Sequence, residues 1–135
     1  MTDNWTSKII RHWLNEKVKL NLGATIQAIT DVEKELGFTF PNDFKELYLK
    51  VDGFKNWDWL PNMFSIWPLE RILTEYKADR KKKSICFADY LINSHQIGFM
   101  KNLKGVFIIS ENPEHIVDTF AEVIDLINSD SEKIY

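Results

Sequence analysis

The chain has 135 residues, with 17 Lys and Arg against 20 Asp and Glu, for a formal net charge of −3. Its length suits one domain with its own core, and 44% hydrophobic with 27% charged residues excludes disorder throughout. The mild acidity argues against a broad phosphate-binding surface, the single Cys86 excludes an internal disulfide or a Cys-based zinc cage, and no stretch reaches the ~18 apolar residues of a membrane helix. Residues 1–14 are charged and polar throughout, with no apolar run of signal-peptide length, so a cytoplasmic protein is the simplest expectation.

Trp5, Ile9 and Trp13, with Ile10, Leu14 and Val18 beside them, predict a helix with one apolar stripe. Leu20 and Leu22 read as a connection ended by Gly23. Thr25 can cap a second helix, in which Ile26, Ile29, Val32 and Leu36 recur at three and four residues, and Gly37 suits a left-handed stop. Residues 38–40 read as an extended link into Pro41, which suits the first turn of a third helix. Phe44, Leu47, Tyr48 and Val51 make that helix's buried face, and Asp52-Gly53 reads as the turn that closes it.

The period then changes. Trp57, Trp59 and Leu60, and after a break at Pro61-Asn62 the run 63–67, read as strands ended by Pro68. Leu69, Ile72, Leu73 and Tyr76 carry a short helix, followed by a basic loop over 77–83. Residues 85–91 and 96–100 predict two strands joined at a tip of Asn93, Ser94 and His95. Residues 106–109 predict a strand buried on both faces. Ile116, Val117, Phe120, Val123, Ile124 and Ile127 fall on one face of a last helix, capped at Asn112-Pro113 or at Asp118, and 129–135 read as a fraying tail. The order predicts an α+β domain over 1–135, a single, mainly antiparallel sheet flanked by helices, with 1–22 packing on it as an N-terminal helix.

No constellation points to catalysis. His12, His95 and His115 lack second ligands at metal spacing, so neither a metal site nor a cofactor is expected. There is no nucleophile elbow, phosphate loop or dinucleotide fingerprint. Cys86, between Ile85 and Phe87, reads as a small buried hydrophobe. Asp52 and Asp58 flank an aromatic loop, and Glu70 and Asp89 lie near strand ends; capping and solvation account for carboxylates so placed, whereas a hydrolytic pair needs a defined cleft.

Binding is the better-supported class. Trp57-Asp58-Trp59 is the candidate interface, because Trp offers large contact area at low rotamer cost. Strand alternation would send both rings to one side, and at least one of them into the core. The basic run of Lys77, Arg80, Lys81, Lys82 and Lys83 reads as a solvated face rather than a nucleic-acid site. The acidic set Glu111, Glu114, Asp118, Glu122, Asp125, Asp130 and Glu132 reads as a helix's polar face, or as a negative surface that steers a cationic partner. The expected partner contacts are Trp57, Asp58, Trp59, Asp89, Tyr90, Glu114, Asp118 and Glu122.

Gly23-Ala24-Thr25, then Ile29, Glu33, Leu36-Gly37, Pro41-x-Asp43-Phe44, Leu47-Tyr48 and Asp52-Gly53, resemble the opening of the SMI1/KNR4 family, also called the SUKH superfamily. The resemblance continues more loosely through residues 64–70 and Asp118-Thr119-Phe120. Ile26, Gln27 and Ala28 depart from it, standing where members tend to place acids. The resemblance implies an α+β fold without catalytic residues, in which Thr25, Glu33, Gly37, Pro41, Asp43, Tyr48 and Gly53 define the fold rather than a binding site. It further implies an immunity protein of a polymorphic toxin system that binds and neutralises a cognate toxin, often a nuclease. Eukaryotic relatives imply the alternative of a regulatory scaffold. A carboxylate-based hydrolase is the third expectation. The expected partner is thus a protein toxin, with no direct nucleic-acid or membrane contact, and the chain a monomer or weak homodimer.

Overall fold

The computed structural model describes residues 5–91 and 94–134; Asn93 of the expected hairpin tip and Tyr135 of the expected tail lie outside them. Helix α1 (Trp5–Asn15) buries Thr6, Ile9 and Trp13, and the Trp13 indole N–H donates to Asn128 Oδ1 at 2.9 Å. Leu14 is exposed rather than part of the stripe, because it lies about 100° round the helix from Trp13. Helix α2 (Ile26–Leu36) starts where expected: Thr25 Oγ1 accepts from the Ala28 amide at 3.0 Å, and Gly37 closes it at φ 63°. Ile26 is exposed, being the first residue of the helix and turned away from the face that Ile29 and Leu36 bury.

Helix α3 (Asn42–Tyr48) is shorter than its periodicity suggested. Val51 and Asp52-Gly53 do not close it. They belong to strand β2 (Val51–Phe54), which pairs antiparallel with β1 (Leu20–Leu22), the stretch read as a plain connection. The larger sheet runs β3 (Phe64–Ile66), β4 (Ser84–Tyr90), β5 (His95–Met100), β6 (Leu103–Ile109) and β7 (Glu114–Val117), all antiparallel and in chain order. The fold is therefore α+β as expected, with a second, two-stranded sheet beside the main one. Helix α4 (Leu69–Ala78) links β3 to β4 and packs on β4 and α2. Helix α5 (Phe120–Asn128) packs on α1, α3 and the end of the sheet.

Rings fill the join between helices and sheet. Phe120 lies 5.0 Å from both Phe44 and Phe87 by ring centroids, and Phe87 lies 5.0 Å from Phe99. Edge-on and tilted pairs of this kind add ~0.5–1.5 kcal/mol each beyond area burial.

Four further expectations are corrected. Trp57, Trp59 and Leu60 form no strand: Lys55–Trp57 is a 3-10 turn with Asn56 and Trp57 left-handed at φ 55° and 62°. Ile116 and Val117 lie on β7, and α5 starts later, capped by Thr119, whose Oγ1 accepts from the Glu122 amide at 3.2 Å while Glu122 Oε1 accepts from the Thr119 hydroxyl at 2.8 Å. The Thr119 side chain thus fills the cap position, and the Glu122 carboxylate holds its hydroxyl there. The expected fraying end packs back instead: Ile134 is buried, and its carbonyl lies 2.9 Å from His95 Nε2. Within β6, Val106 and Phe107 are buried but Ile108 and Ile109 only half-buried.

The residues that carried the resemblance act as tethers. Glu33 Oε2 accepts from the Phe40 amide at 2.7 Å and lies 3.4 Å from Lys45 Nζ, tying the link before α3 to α2. Asp43 takes the Phe44 amide on one oxygen at 2.9 Å and the Ala121 amide on the other at 2.8 Å, joining α3 to the start of α5. Tyr48 donates its buried hydroxyl to the Trp67 carbonyl at 2.6 Å. Pro41, at φ −59°, sets the entry to α3. Gly53 is left-handed at φ 66°, and a Cβ there would sit 2.5 Å from the backbone of Trp67 and Pro68.

Gly37 and Gly53 separate two costs of a side chain. At Gly37 a Cβ would meet only the far end of Lys101, at 3.5 Å. Gly37→Ala is expected to lose about 1–2 kcal/mol in urea unfolding, from the left-handed backbone alone. Gly53→Ala should lose at least about twice as much, since backbone must also move. Equal losses would show that the β2–Trp67 contact yields freely.

Candidate functional site

The site grows out of a buried ion pair. Asp89 lies near the end of β4, between β3 and β5, and is 3% exposed. One of its oxygens accepts from the Trp67 indole N–H at 2.6 Å and lies 3.4 Å from Arg71 Nη1. Arg71 projects from the first turn of α4, and its guanidinium carbon lies 4.2 Å from the ring centre of buried Trp67 and 3.9 Å from that of Trp57. The cation is thus held between two indoles, one in the core and one at the surface. Burial pulls the Arg71 guanidinium below its ordinary pKa, with Asp89 and Glu75 pulling the other way. Stacked, desolvated cations of this kind gain ~2 kcal/mol or more from the ring faces.

Trp57 is 66% exposed and stands on the rim of a groove of about 900 Å³ between β1, the 3-10 turn and α4. Asp52, Glu70 and Glu75 line the groove, with Lys55 at its edge. Asp52 Oδ1 accepts from the Leu69 amide at 2.8 Å and so caps α4, whose N-cap Pro68 has no side-chain oxygen to offer. Burial, and to a lesser degree the Glu70 charge, push the Asp52 carboxyl above its ordinary range, against the pull of the Leu69 amide.

The expected contacts are not one surface. Trp57 lines the groove, and neither it nor Trp59, which is 39% exposed, lies in the core. The turn replaces strand alternation with a left-handed backbone that lifts Trp57 outward. Asp58 accepts from the Lys19 amide at 2.7 Å and the Trp59 amide at 3.0 Å, holding the loop in place. Asp89 is not at the surface; it supports Trp57 through Arg71. Tyr90 is half-buried, stacked on His95 at 4.9 Å. Glu114 is on β7, Asp118 follows it and pairs with His115 at 3.0 Å, and Glu122 accepts from the Thr119 hydroxyl at the start of α5, so these acids share no helix face.

Sequence reasoning missed Arg71. Its signal was a cation in the first turn of a helix, where the macrodipole disfavours it unless an anion is near. The matching signal was Asp89, a carboxylate inside an apolar strand. Cys86 is only half-exposed, and burial pushes its thiol up to about 12, which leaves no thiolate for chemistry.

Comparison with known proteins gives two findings. The SMI1 / KNR4 family (SUKH-1) matches residues 23–132, a span that begins after β1. A stretch of 35 residues, 26% of the chain, is 49% identical to "Uncharacterized protein YnaB" of Bacillus subtilis (strain 168). That match spans 24% of the relative's own length.

Two variants test the geometry. Asp89→Ala removes the carboxylate paired with a buried guanidinium and is expected to cost about 3–5 kcal/mol in urea unfolding, with more than half recovered when Arg71→Met is added. A double variant no better than the single would show that the two side chains act separately. At Asp52 the folded pKa lies above the unfolded one, so ionisation costs stability; the cost is absent in acid and develops as pH rises through the folded pKa. Asp52→Asn keeps the cap acceptor and removes that cost. Its melting temperature relative to the parent should rise between about pH 3 and about pH 7; a constant or falling difference would contradict the shift.

Proposed function

The chain belongs to the SMI1/KNR4 family (SUKH-1), and from that premise we propose that it is a non-enzymatic, protein-binding domain of the immunity type. In this reading it neutralises a cognate polymorphic toxin, a nuclease domain being the leading class, by covering the toxin's working surface. It acts in the cytoplasm as a monomer or weak homodimer, against protein rather than nucleic acid or membrane. Among the described residues no helix is long and apolar enough to cross a membrane.

The observation that carries the reading is the Trp57 platform. An indole 66% exposed is braced from beneath by a buried ion pair and stands over a groove. A ring already fixed loses little rotamer freedom on docking, and Trp is the side chain most enriched at binding hot spots. A hydrolase would also use raised carboxylates in a groove. Here Asp52 has a structural task as the cap of α4, and burial with its neighbour Glu70 accounts for its shift.

The partner to test is a toxin domain encoded beside this chain. Co-expression is expected to restore growth and to yield a stable complex. Trp57→Ala should weaken that complex about 10–100-fold, equivalent to about 1.4–2.7 kcal/mol. Restored growth with unaltered affinity in Trp57→Ala would move the contact elsewhere, with Glu114, Asp118 and Glu122 next to be reversed in charge. Failure to bind the toxin, with capture of a protein of the producing cell instead, would favour the regulatory scaffold.

A further inference from the structure

The groove beside Trp57 has a definite chemical bias. Asp52 comes from β2, while Glu70 and Glu75 come from α4, so the topology brings together three acids that the sequence separates by up to 23 positions. Of the lining cations, Arg71 is paired with Asp89 and also feels the Glu75 charge, and Lys55 is the second. Among the described residues no salt bridge joins Asp52, Glu70 or Glu75 to a cation. The inner face of Trp57 is already covered by the Arg71 guanidinium, and the remaining 66% of the residue's surface stays open.

An apolar or anionic occupant fits this lining poorly. A carboxylate or phosphate would meet three acids against two lining cations, of which Arg71 is already paired with Asp89, and an aliphatic side chain would strip water from carboxylates without replacing their hydrogen bonds. A cationic side chain meets both requirements at once. Its charge relieves the crowding of the acids, and its flat or methylene portion lies on the open indole face, where ring and cation attract. The volume of about 900 Å³ also exceeds what one side chain needs and accommodates a short run of main chain on either side.

We infer that the groove is a recognition site for a basic segment of the partner, with an arginine or lysine side chain laid on the outer face of Trp57 and neutralised by Asp52, Glu70 and Glu75. The inference deepens the docking role proposed for Trp57 and rests on it for its biological meaning. The chemistry of the site can be tested apart from any toxin.

The probes are four capped pentapeptides, Gly-Gly-X-Gly-Gly, with X arginine, lysine, norleucine or glutamate, titrated into the full isotope-labelled chain. The arginine and lysine peptides are expected to move the Trp57 indole N–H resonance saturably, together with the amides of Glu70 and Glu75, while the other two leave them in place. Glu70→Gln with Glu75→Gln, both near the solvent side of α4, should weaken the effect about five-fold or more. Raising salt from about 0.05 M to about 0.5 M should weaken it similarly. Equal shifts with norleucine or glutamate, or no shift with any peptide, would overturn the inference. The two readings fail separately. If arginine moves Trp57 but Trp57→Ala leaves toxin affinity unchanged, the docking role falls and the cation site stands. If Trp57→Ala abolishes toxin binding and no peptide moves the indole, the cation site falls and the docking role stands.

Discussion

A carboxylate buried in a sheet must be matched, and in this protein nearly everything around the groove follows from how Asp89 is matched. Its partners include the Trp67 indole and the Arg71 guanidinium. Arg71 can reach it only because α4 begins immediately after β3 and Pro68, with the Asp52 carboxylate capping the helix at Leu69. Once there, the guanidinium fills the space between Trp67 and Trp57, so a core requirement fixes a surface ring. A buried ion pair need not add net stability over an apolar replacement. Its clearer consequence here is positional: it sets where Trp57 stands.

The tethers around Trp67 serve the same end. Tyr48 and Gly53 both close on the backbone around Trp67, one by a hydrogen bond and the other by the lack of a side chain. Asp43 and Glu33 fix α3 between α2 and α5, so the helix bearing Tyr48 cannot slide. Glu33, Asp43, Tyr48 and Gly53 therefore build a frame, while Asp52 and Glu70, which also carry the resemblance, line the groove beside Trp57, Arg71 and Glu75.

Much of this was legible from residue order. The caps at Thr25 and Gly37, the α4 stripe and the β4–β5 hairpin follow from period and turn chemistry, which are local. What local reasoning misplaced was decided by pairing across the chain. Leu20 and Val51 look like a loop and a helix end until β1 and β2 are seen to pair. Ile116 and Val117 have helical spacing with α5 but pair with β6. The site shows the same division. Trp57 was legible as a candidate because Trp offers large contact area at low rotamer cost, but its exposure on a turn was not, since the spacing read as a strand. The role of Asp89 was not, because it depends on a residue 18 positions away that carries no motif.

The central claim is that the Asp89–Arg71 pair holds the Trp57 ring in place, and the motion of that ring reads it directly. In the parent protein the Trp57 indole N–H should have the order parameter of rigid backbone, about 0.85, and in Asp89→Asn it should fall towards about 0.6 or below while the Trp13 indole, tied to Asn128, stays unchanged. An indole at Trp57 equally ordered in both proteins, or mobile in both, would contradict the account.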